Sequence, residues 1–290
     1  MTETTDQQTK ALVLAGGGVA GIGWEVGLLV GLAEAGIDGR RASLFVGTSA
    51  GSNVAAMITS GLTMDELFQR LVHPDLQAKE LSTQADIRQV IADYRRILKE
   101  GGSSTEILRR MGALALSTPT VAEAKRREVI VSRLPVHRWP QTRLEIVTVD
   151  AFSGERIVFD RASGVDLVDA VGASSALPCV WPPVTIDGHR YIDGGCYSMA
   201  NADLAAGFDK VLVLQPDVPP HLVVESLDAQ IERLRQNGTQ VEVITPDEAM
   251  EVALASAGGN TLDPSLRGIG ARVGREQARR EIARVAAFWG

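Results

Sequence analysis

Cysteine and basic charge are both scarce in this chain of 290 residues. Its two cysteines, Cys179 and Cys196, cannot build a disulfide framework, so we expect two small buried residues in a reducing compartment. Acidic residues outnumber basic ones and leave a net charge of −7. This charge argues against a nucleic-acid-binding protein and against strong electrostatic docking to anionic lipid. It is compatible with transient contact at a membrane or micelle surface.

Long apolar runs and a secretory signal are also missing. The longest apolar stretches are too short to span a bilayer, and the polar, acidic N-terminus has no basic segment followed by an apolar one. We therefore expect a cytoplasmic protein with a disordered tail over residues 1–9 and a single domain over residues 10–290. Apolar residues form 45% of the chain, which is enough for a substantial core. No motif requires a metal or a cofactor, and we expect neither.

Six short runs of apolar and β-branched residues are typical of strands, and most of them are separated by segments of helical periodicity. The runs are Lys10–Ala15, Ser43–Val46, Arg143–Val149, Glu155–Phe159, Val211–Leu214 and Val241–Ile244. Strands that alternate with helices predict an α/β fold, here a three-layer α/β/α sandwich around a mostly parallel sheet.

Residues from about 63 to 140 differ from the rest, because they are charged, helical in pattern and free of strand-like runs. We predict a helical insert or cap there. Within it, apolar residues recur every three or four positions and form a stripe, which consists of Ile87, Val90, Ile91, Tyr94 and Leu98. The stripe fits two interpretations: a scaffold helix with one solvated face, or a cap helix that contacts acyl chains above an active site.

The pentapeptide Gly47-Thr48-Ser49-Ala50-Gly51 has the form G-x-S-x-G. It follows a predicted strand and precedes a helix-like segment, which is the context of a nucleophile elbow. The glycines allow the turn to close and keep bulky side chains away from the serine. The following helix directs N–H groups and the positive end of its dipole towards the serine. We therefore predict that Ser49 is the nucleophile of a serine hydrolase.

A glycine-rich segment, Gly16–Gly21, lies between the first predicted strand and the first helix. Glycines at this position allow backbone N–H groups to turn towards a negatively charged oxygen. A dinucleotide-binding loop would require an acidic residue at the end of the second strand, but that strand continues into Gly47. A Walker A loop is excluded because no Gly-Lys-Ser/Thr follows. A nucleotide-binding module remains a minor alternative.

A third motif is Asp193-Gly194-Gly195. It is preceded by Ser-Ser-Ala-Leu-Pro at residues 174–178 and by Pro-Pro-Val at residues 182–184. Taken in order, the glycine loop, the serine pentapeptide and this block resemble the patatin-like phospholipases over roughly residues 12–205. Three motifs in the family's order are much more specific than any one of them.

The resemblance implies a patatin-type α/β sandwich and a catalytic dyad that uses no histidine. Ser49 would be the nucleophile and Asp193 its general base. The N–H groups of Gly17 and Gly18, together with Gly16, would form the oxyanion hole. The substrate would be a lipid or another acyl ester.

The chain departs from the family's pattern at three positions, one of which is Ala15, where many members have aspartate or serine. Ala20 stands where the family usually has arginine or lysine, which weakens the case for a phosphate-bearing substrate more than the case for ester hydrolysis. Cys179 stands where glycine is common. For the acyl-binding surface we expect apolar side chains from the helices beside the motifs, namely Leu28, Val54 and Met57, together with the insert stripe.

Two alternative functions stay open at this point. Ser49, Asp193 and His221 occur in the order that an α/β-hydrolase triad requires, and His221 lies in a loop after two prolines. The other histidines, His73, His137 and His189, are expected to be loop or surface residues. A non-catalytic, lipid-binding regulatory protein on the same fold is the alternative from outside the enzymes.

Overall fold

The computed structural model describes residues 8–83, 85–216 and 222–290. In these residues eight strands form one sheet. The strands are β1 (Lys10–Leu14), β2 (Leu44–Thr48), β3 (Arg143–Asp150), β4 (Arg156–Phe159), β5 (Val184–Ile186), β6 (His189–Asp193), β7 (Lys210–Leu214) and β8 (Gln240–Ile244). Each of the six predicted strands is present, with bounds shifted by no more than a few residues.

The strand order is β5-β6-β3-β2-β1-β7-β8, and β4 pairs with β3 outside this path. The five strands from β3 to β8 along that path are parallel to one another. The strands β4, β5 and β6 run antiparallel to their neighbours. The sheet is therefore mostly parallel, as the sequence predicts, and its antiparallel part contains Asp193.

The central strands are buried on both faces, which explains their nearly continuous apolar sequence. In β1, Leu12 and Leu14 belong to one core cluster, whereas Ala11 and Val13 belong to another on the opposite face. This alternation follows from the two-residue repeat of a strand. Helices cover both faces, so the three-layer prediction is confirmed.

The described part of the chain contains ten α-helices. They are α1 (Gly18–Glu34), α2 (Ala50–Ile58), α3 (Met64–Val72), α4 (Ile87–Glu100), α5 (Ser104–Ser117), α6 (Glu123–Arg133), α7 (Leu167–Ser174), α8 (Leu227–Gln236), α9 (Glu248–Ser256) and α10 (Leu266–Trp289). The first core cluster takes residues from α1, α2, α3, α7 and α10, and the second takes residues from α8. None of the described helices is both long and apolar enough to cross a bilayer.

Four helices, α3 to α6, occupy the segment predicted to be a helical insert. Local sequence fixes several of their ends: Thr63 and Ser103 each form a capping box with the glutamate three residues later, and Asp86 caps α4. Residues of α4 and α5 form a third core cluster with the region around Trp181 and Cys196. The insert thus packs beside the antiparallel part of the sheet.

The predicted disordered tail lies largely outside the described residues, which begin at Gln8. Thr9 was expected to belong to the disordered tail, but it is bonded to the rest of the protein. Its N–H donates a hydrogen bond to the Asp209 carboxylate at 2.7 Å, and its hydroxyl donates to the same oxygen at 2.9 Å. These bonds hold the chain immediately before β1.

Candidate active site

Ser49 lies in the turn between β2 and α2, as the elbow prediction requires. Its φ and ψ angles are 52° and −116°, a conformation that a residue with a side chain rarely adopts. The two glycines of the motif are needed for close packing. A Cβ on Gly51 would overlap the carbonyl of Leu14, and one on Gly47 would lie 2.6 Å from the Cα of Ser52.

Hydrogen bonds hold the backbone of Ser49 in this unusual conformation. Its N–H donates to the hydroxyl of Ser174 at 2.9 Å. Its carbonyl accepts bonds from the Ser52 hydroxyl at 2.7 Å, the Asn53 amide at 3.1 Å and the Ser175 hydroxyl at 3.2 Å. These four residues are not among the candidates that the sequence motifs predict. The Ser-Ser pair and an amide one helical turn after Ser49 are signals that could have identified them.

Asp193 reaches Ser49 through the register of the sheet. Thr48, the residue before Ser49, is paired with Val147 of β3, and Asp193 is paired with Thr148, the next residue of the same strand. The ends of β2 and β6 therefore meet at adjacent positions on β3. As a result Ser49 and Asp193 line the same cavity, and they are close enough for the Ser49 side chain to lower the pKa of the Asp193 carboxyl.

Asp193 is buried, with an exposed fraction of 2%. Burial raises the pKa of its carboxyl from 3.8 to about 7, although the Ser49 side chain, the Gly195 N–H and the nearby charge of Arg126 act in the opposite direction. The bond from the Gly195 N–H is 2.7 Å long. A carboxylate with a pKa near neutrality is a much better proton acceptor than an ordinary aspartate.

The glycine loop lies beside Ser49, and its residues are not equivalent. The Gly16 N–H already donates to the carbonyl of Met199 at 2.9 Å, so the expectation that Gly16 contributes to an oxyanion hole is corrected. Gly17 and Gly18 line the same cavity as Ser49 and Asp193. Within the described part of the chain, no backbone carbonyl accepts a hydrogen bond from either N–H group.

This cavity has a volume of about 280 Å³ and a mostly apolar wall. Helix α4 supplies a large part of that wall through Ile87, Val90, Ile91 and Tyr94. The fifth residue of the insert stripe, Leu98, packs into the third core cluster instead. The structure thus favours the cap-helix interpretation of the stripe over the scaffold interpretation.

The other expected substrate contacts are not supported by the structure. Leu28 and Val54 are fully buried, Met57 is 2% exposed, and all three belong to the first core cluster. None of them lines the cavity that contains Ser49. They lie on the faces of α1 and α2 that pack into the core, and an apolar sequence pattern alone does not distinguish those faces from a substrate-binding one.

Three of the four histidines lie away from the cavity. His189 is exposed and pairs with Asp150, with 2.7 Å between Nδ1 and the carboxylate oxygen. His137 contacts the carbonyl of Val131, and the side chain of His73 is exposed. His221 lies outside the described residues, and its neighbour Leu222 lines the cavity. The triad alternative therefore stays a prediction.

Cys179 and Cys196 are both buried free thiols, as expected. Cys179 has a φ of 68°, a left-handed conformation that glycine adopts without strain. This angle gives a physical reason why glycine is common at the corresponding family position.

Two solved structures resemble the chain: VipD from Legionella pneumophila, with a TM-score of 0.45 and 12% identity, and the type III effector ExoU of Pseudomonas aeruginosa, with a TM-score of 0.42 and 18% identity. Both likenesses cover 96% of this chain, but 67% of VipD and 53% of ExoU, so the chain spans only about half the length of ExoU. No curated protein sequence matches significantly. The family model described as patatin-like phospholipase matches residues 12–206, and the chain therefore belongs to the patatin-like phospholipase family.

Proposed function

We propose that this protein hydrolyses carboxylic esters of lipids with a Ser49–Asp193 dyad. The observation that carries the proposal is the position of Ser49 in the same cavity as the buried Asp193 carboxyl, whose pKa is raised to about 7. Membership of the patatin-like phospholipase family supports hydrolase activity on lipid esters. The dyad adds a specific assignment of nucleophile and base.

In the first half of the reaction, the Asp193 carboxylate accepts the proton of the Ser49 hydroxyl as the oxygen attacks the ester carbonyl. The carbonyl oxygen becomes a tetrahedral oxyanion, which the N–H groups of Gly17 and Gly18 stabilise. The intermediate then collapses and breaks the bond to the alcohol. Asp193 returns the proton to the departing alcohol, and an acyl group remains on Ser49.

In the second half, water replaces the alcohol. Asp193 accepts a proton from that water, whose oxygen attacks the acyl-serine carbonyl, and the same N–H groups stabilise the second oxyanion. Collapse frees the carboxylic acid and restores the Ser49 hydroxyl. The same two side chains therefore serve both steps without a third residue.

The apolar cavity supports a substrate with an acyl chain. Side chains of α4 would contact that chain, because they line the cavity that contains Ser49. Burying apolar surface stabilises the complex by roughly 25 cal/mol per Å², so a longer chain binds more tightly until the cavity is full. We infer that the lipid is presented from a membrane or micelle surface.

A fluorophosphonate probe tests the nucleophile, because it forms a covalent bond only with an activated serine. The native protein and a Ser43→Ala control, which changes an exposed serine before β2, should both be labelled. Ser49→Ala should abolish labelling and turnover of p-nitrophenyl esters.

Labelling that survives in Ser49→Ala would refute this assignment. Lipid binding without an acyl-enzyme in the native protein would instead favour the non-catalytic alternative. A series of p-nitrophenyl esters from short to long chains, followed by a panel of phospholipids, would then define the substrate.

A further inference from the structure

One buried side chain in the cavity takes no part in the proposed reaction. Arg126 of α6 is 6% exposed and lines the same cavity as Ser49 and Asp193. Its Nη1 atom is shielded from solvent and has no hydrogen-bond partner. A buried guanidinium with an unused donor is unfavourable unless something else binds there, because desolvating a charge costs several kcal/mol.

The neighbouring charges do not neutralise Arg126. Among the described residues, Glu80 is the one acidic side chain that pairs with it, and Arg126 Nη1 lies 3.8 Å from a Glu80 oxygen, beyond hydrogen-bonding distance. Both Glu80 oxygens already accept bonds from Arg133, at 2.8 and 2.6 Å, and one of them also accepts a bond from Arg267. Three buried guanidinium groups thus share one carboxylate, and this side of the cavity keeps a positive charge.

The position of Arg126 suits an anion next to the reacting ester. Its guanidinium lies over the ring of Trp181, 3.9 Å from the ring centroid, which holds its plane in place. It is close enough to Asp193 to interact with that carboxyl electrostatically. The glycine loop has no cation of its own, since Ala20 stands at the position where the family usually has one.

From this arrangement we infer that Arg126 forms an anion subsite that binds a phosphate group beside the Ser49–Asp193 pair. The inference rests on the proposed function and specifies its substrate class as phosphate-bearing lipid esters. In a glycerophospholipid the phosphate and the acyl esters are attached to one glycerol, so an ester carbonyl at Ser49 places the phosphate a few bonds away. Free inorganic phosphate offers the same oxygens, and the experiment separates these two sources.

Isothermal titration of inorganic phosphate measures the subsite without any turnover. The native protein should bind phosphate and Arg126→Gln should not. Arg127→Gln is the matched control, because Arg127 is the next residue of α6 but pairs with Asp169 at the surface. Arg126→Lys retains the positive charge and should recover most of the binding. Thermal unfolding of each variant reports whether the fold is intact.

Hydrolysis then identifies the source of the phosphate. A soluble short-chain phosphatidylcholine is compared with the diacylglycerol that carries the same acyl chains. Arg126→Gln should lower kcat/KM for the phospholipid by about 10- to 100-fold, the effect of losing a charge-assisted hydrogen bond, and that for the diacylglycerol by less than about threefold. Limiting values from full pH profiles are required, because removing Arg126 also raises the pKa of Asp193.

Loss of phosphate binding together with loss of phospholipid preference supports a headgroup subsite. Loss of phosphate binding with an unchanged preference supports a site for free phosphate. Equal phosphate binding by the native protein and Arg126→Gln, or none by either, with an unchanged preference would overturn the inference. If neither ester is cleaved and Ser49 is not labelled, the proposed function fails, while the titration still tests the subsite.

Discussion

Ser49 and Asp193 line the same cavity, where the Asp193 carboxyl is almost closed to water and Ser49 is half-buried. The two residues are 144 positions apart in the sequence and meet because β2 and β6 end at adjacent residues of β3. Desolvation makes the carboxylate basic enough to activate the hydroxyl.

The first prediction concerns the pH dependence of hydrolysis. Asp193 must be ionised to accept a proton, and burial raises its pKa from 3.8 to about 7. We therefore expect kcat/KM to rise with pH, to reach half its maximum near pH 7 and to level off above that. A profile for a neutral p-nitrophenyl ester measures this, and a midpoint near 4 would contradict a buried aspartate base.

The second prediction concerns how the stability of the folded protein depends on pH. The folded state binds a proton on Asp193 more tightly than the unfolded state does, so this stabilisation is complete at low pH and is lost as the pH rises from about 4 to about 7. Asp193→Asn removes the titration. We compare the free energy of unfolding of Asp193→Asn with that of the native protein at each pH. The variant's value minus the native value should be about 2 kcal/mol higher at pH 8 than at pH 5.

Urea unfolding of both proteins at these two pH values checks the difference. The same substitution should lower kcat by at least about 100-fold, because the general base is lost. An inactive variant whose stability relative to the native protein rises between pH 5 and pH 8 separates the catalytic role of Asp193 from a structural one. An equal stability difference at both pH values would show that the pKa of Asp193 is not raised.

The third prediction distinguishes the dyad from a triad. His221→Ala should leave kcat within about threefold of the native value, because Asp193 lines the same cavity as Ser49 and its raised pKa suits a general base. A histidine base would also give a midpoint near neutral pH, so the pH profile alone does not decide between them. Complete loss of turnover in a correctly folded His221→Ala variant would refute the dyad.

The fourth prediction concerns the acyl-binding wall. Ile91 lines the cavity, whereas Leu98 of the same stripe does not. Ile91→Trp should fill part of the cavity and reduce the palmitate-to-butyrate ratio of kcat/KM for p-nitrophenyl esters by about tenfold, because several methylene groups lose their burial. Leu98→Trp is the matched control on α4 and should leave the ratio unchanged. A ratio that falls equally in both variants would contradict this role for α4.

Local sequence was sufficient for six of the eight strands and for the serine turn, whereas β5 and β6 were not predicted. Ser49 lies in the turn that its glycines require, and the capping boxes of Thr63 and Ser103 are local features of the same kind. These features depend on residues a few positions apart. Backbone sterics and short-range hydrogen bonds are enough to specify them.

The walls of the cavity were not predictable in the same way. Leu28, Val54 and Met57 have the apolar character of substrate contacts but face the core. The cluster of Glu80, Arg126 and Arg133 resembles the charged pattern of any exposed helix. Which face of a helix is buried, and against what, depends on partners far away in the chain.

The sequence by itself determined the order of the three motifs, the α/β alternation and Ser49 as the nucleophile candidate. Only the tertiary structure decided that the Gly16 N–H is already bonded, that α4 forms the wall of the cavity, and that Arg126 is buried beside Asp193. The physical reason is that hydrogen-bond partners, burial and the pKa of Asp193 arise from long-range contacts. Sheet register and helix packing create those contacts, and neither is encoded in a short stretch of residues.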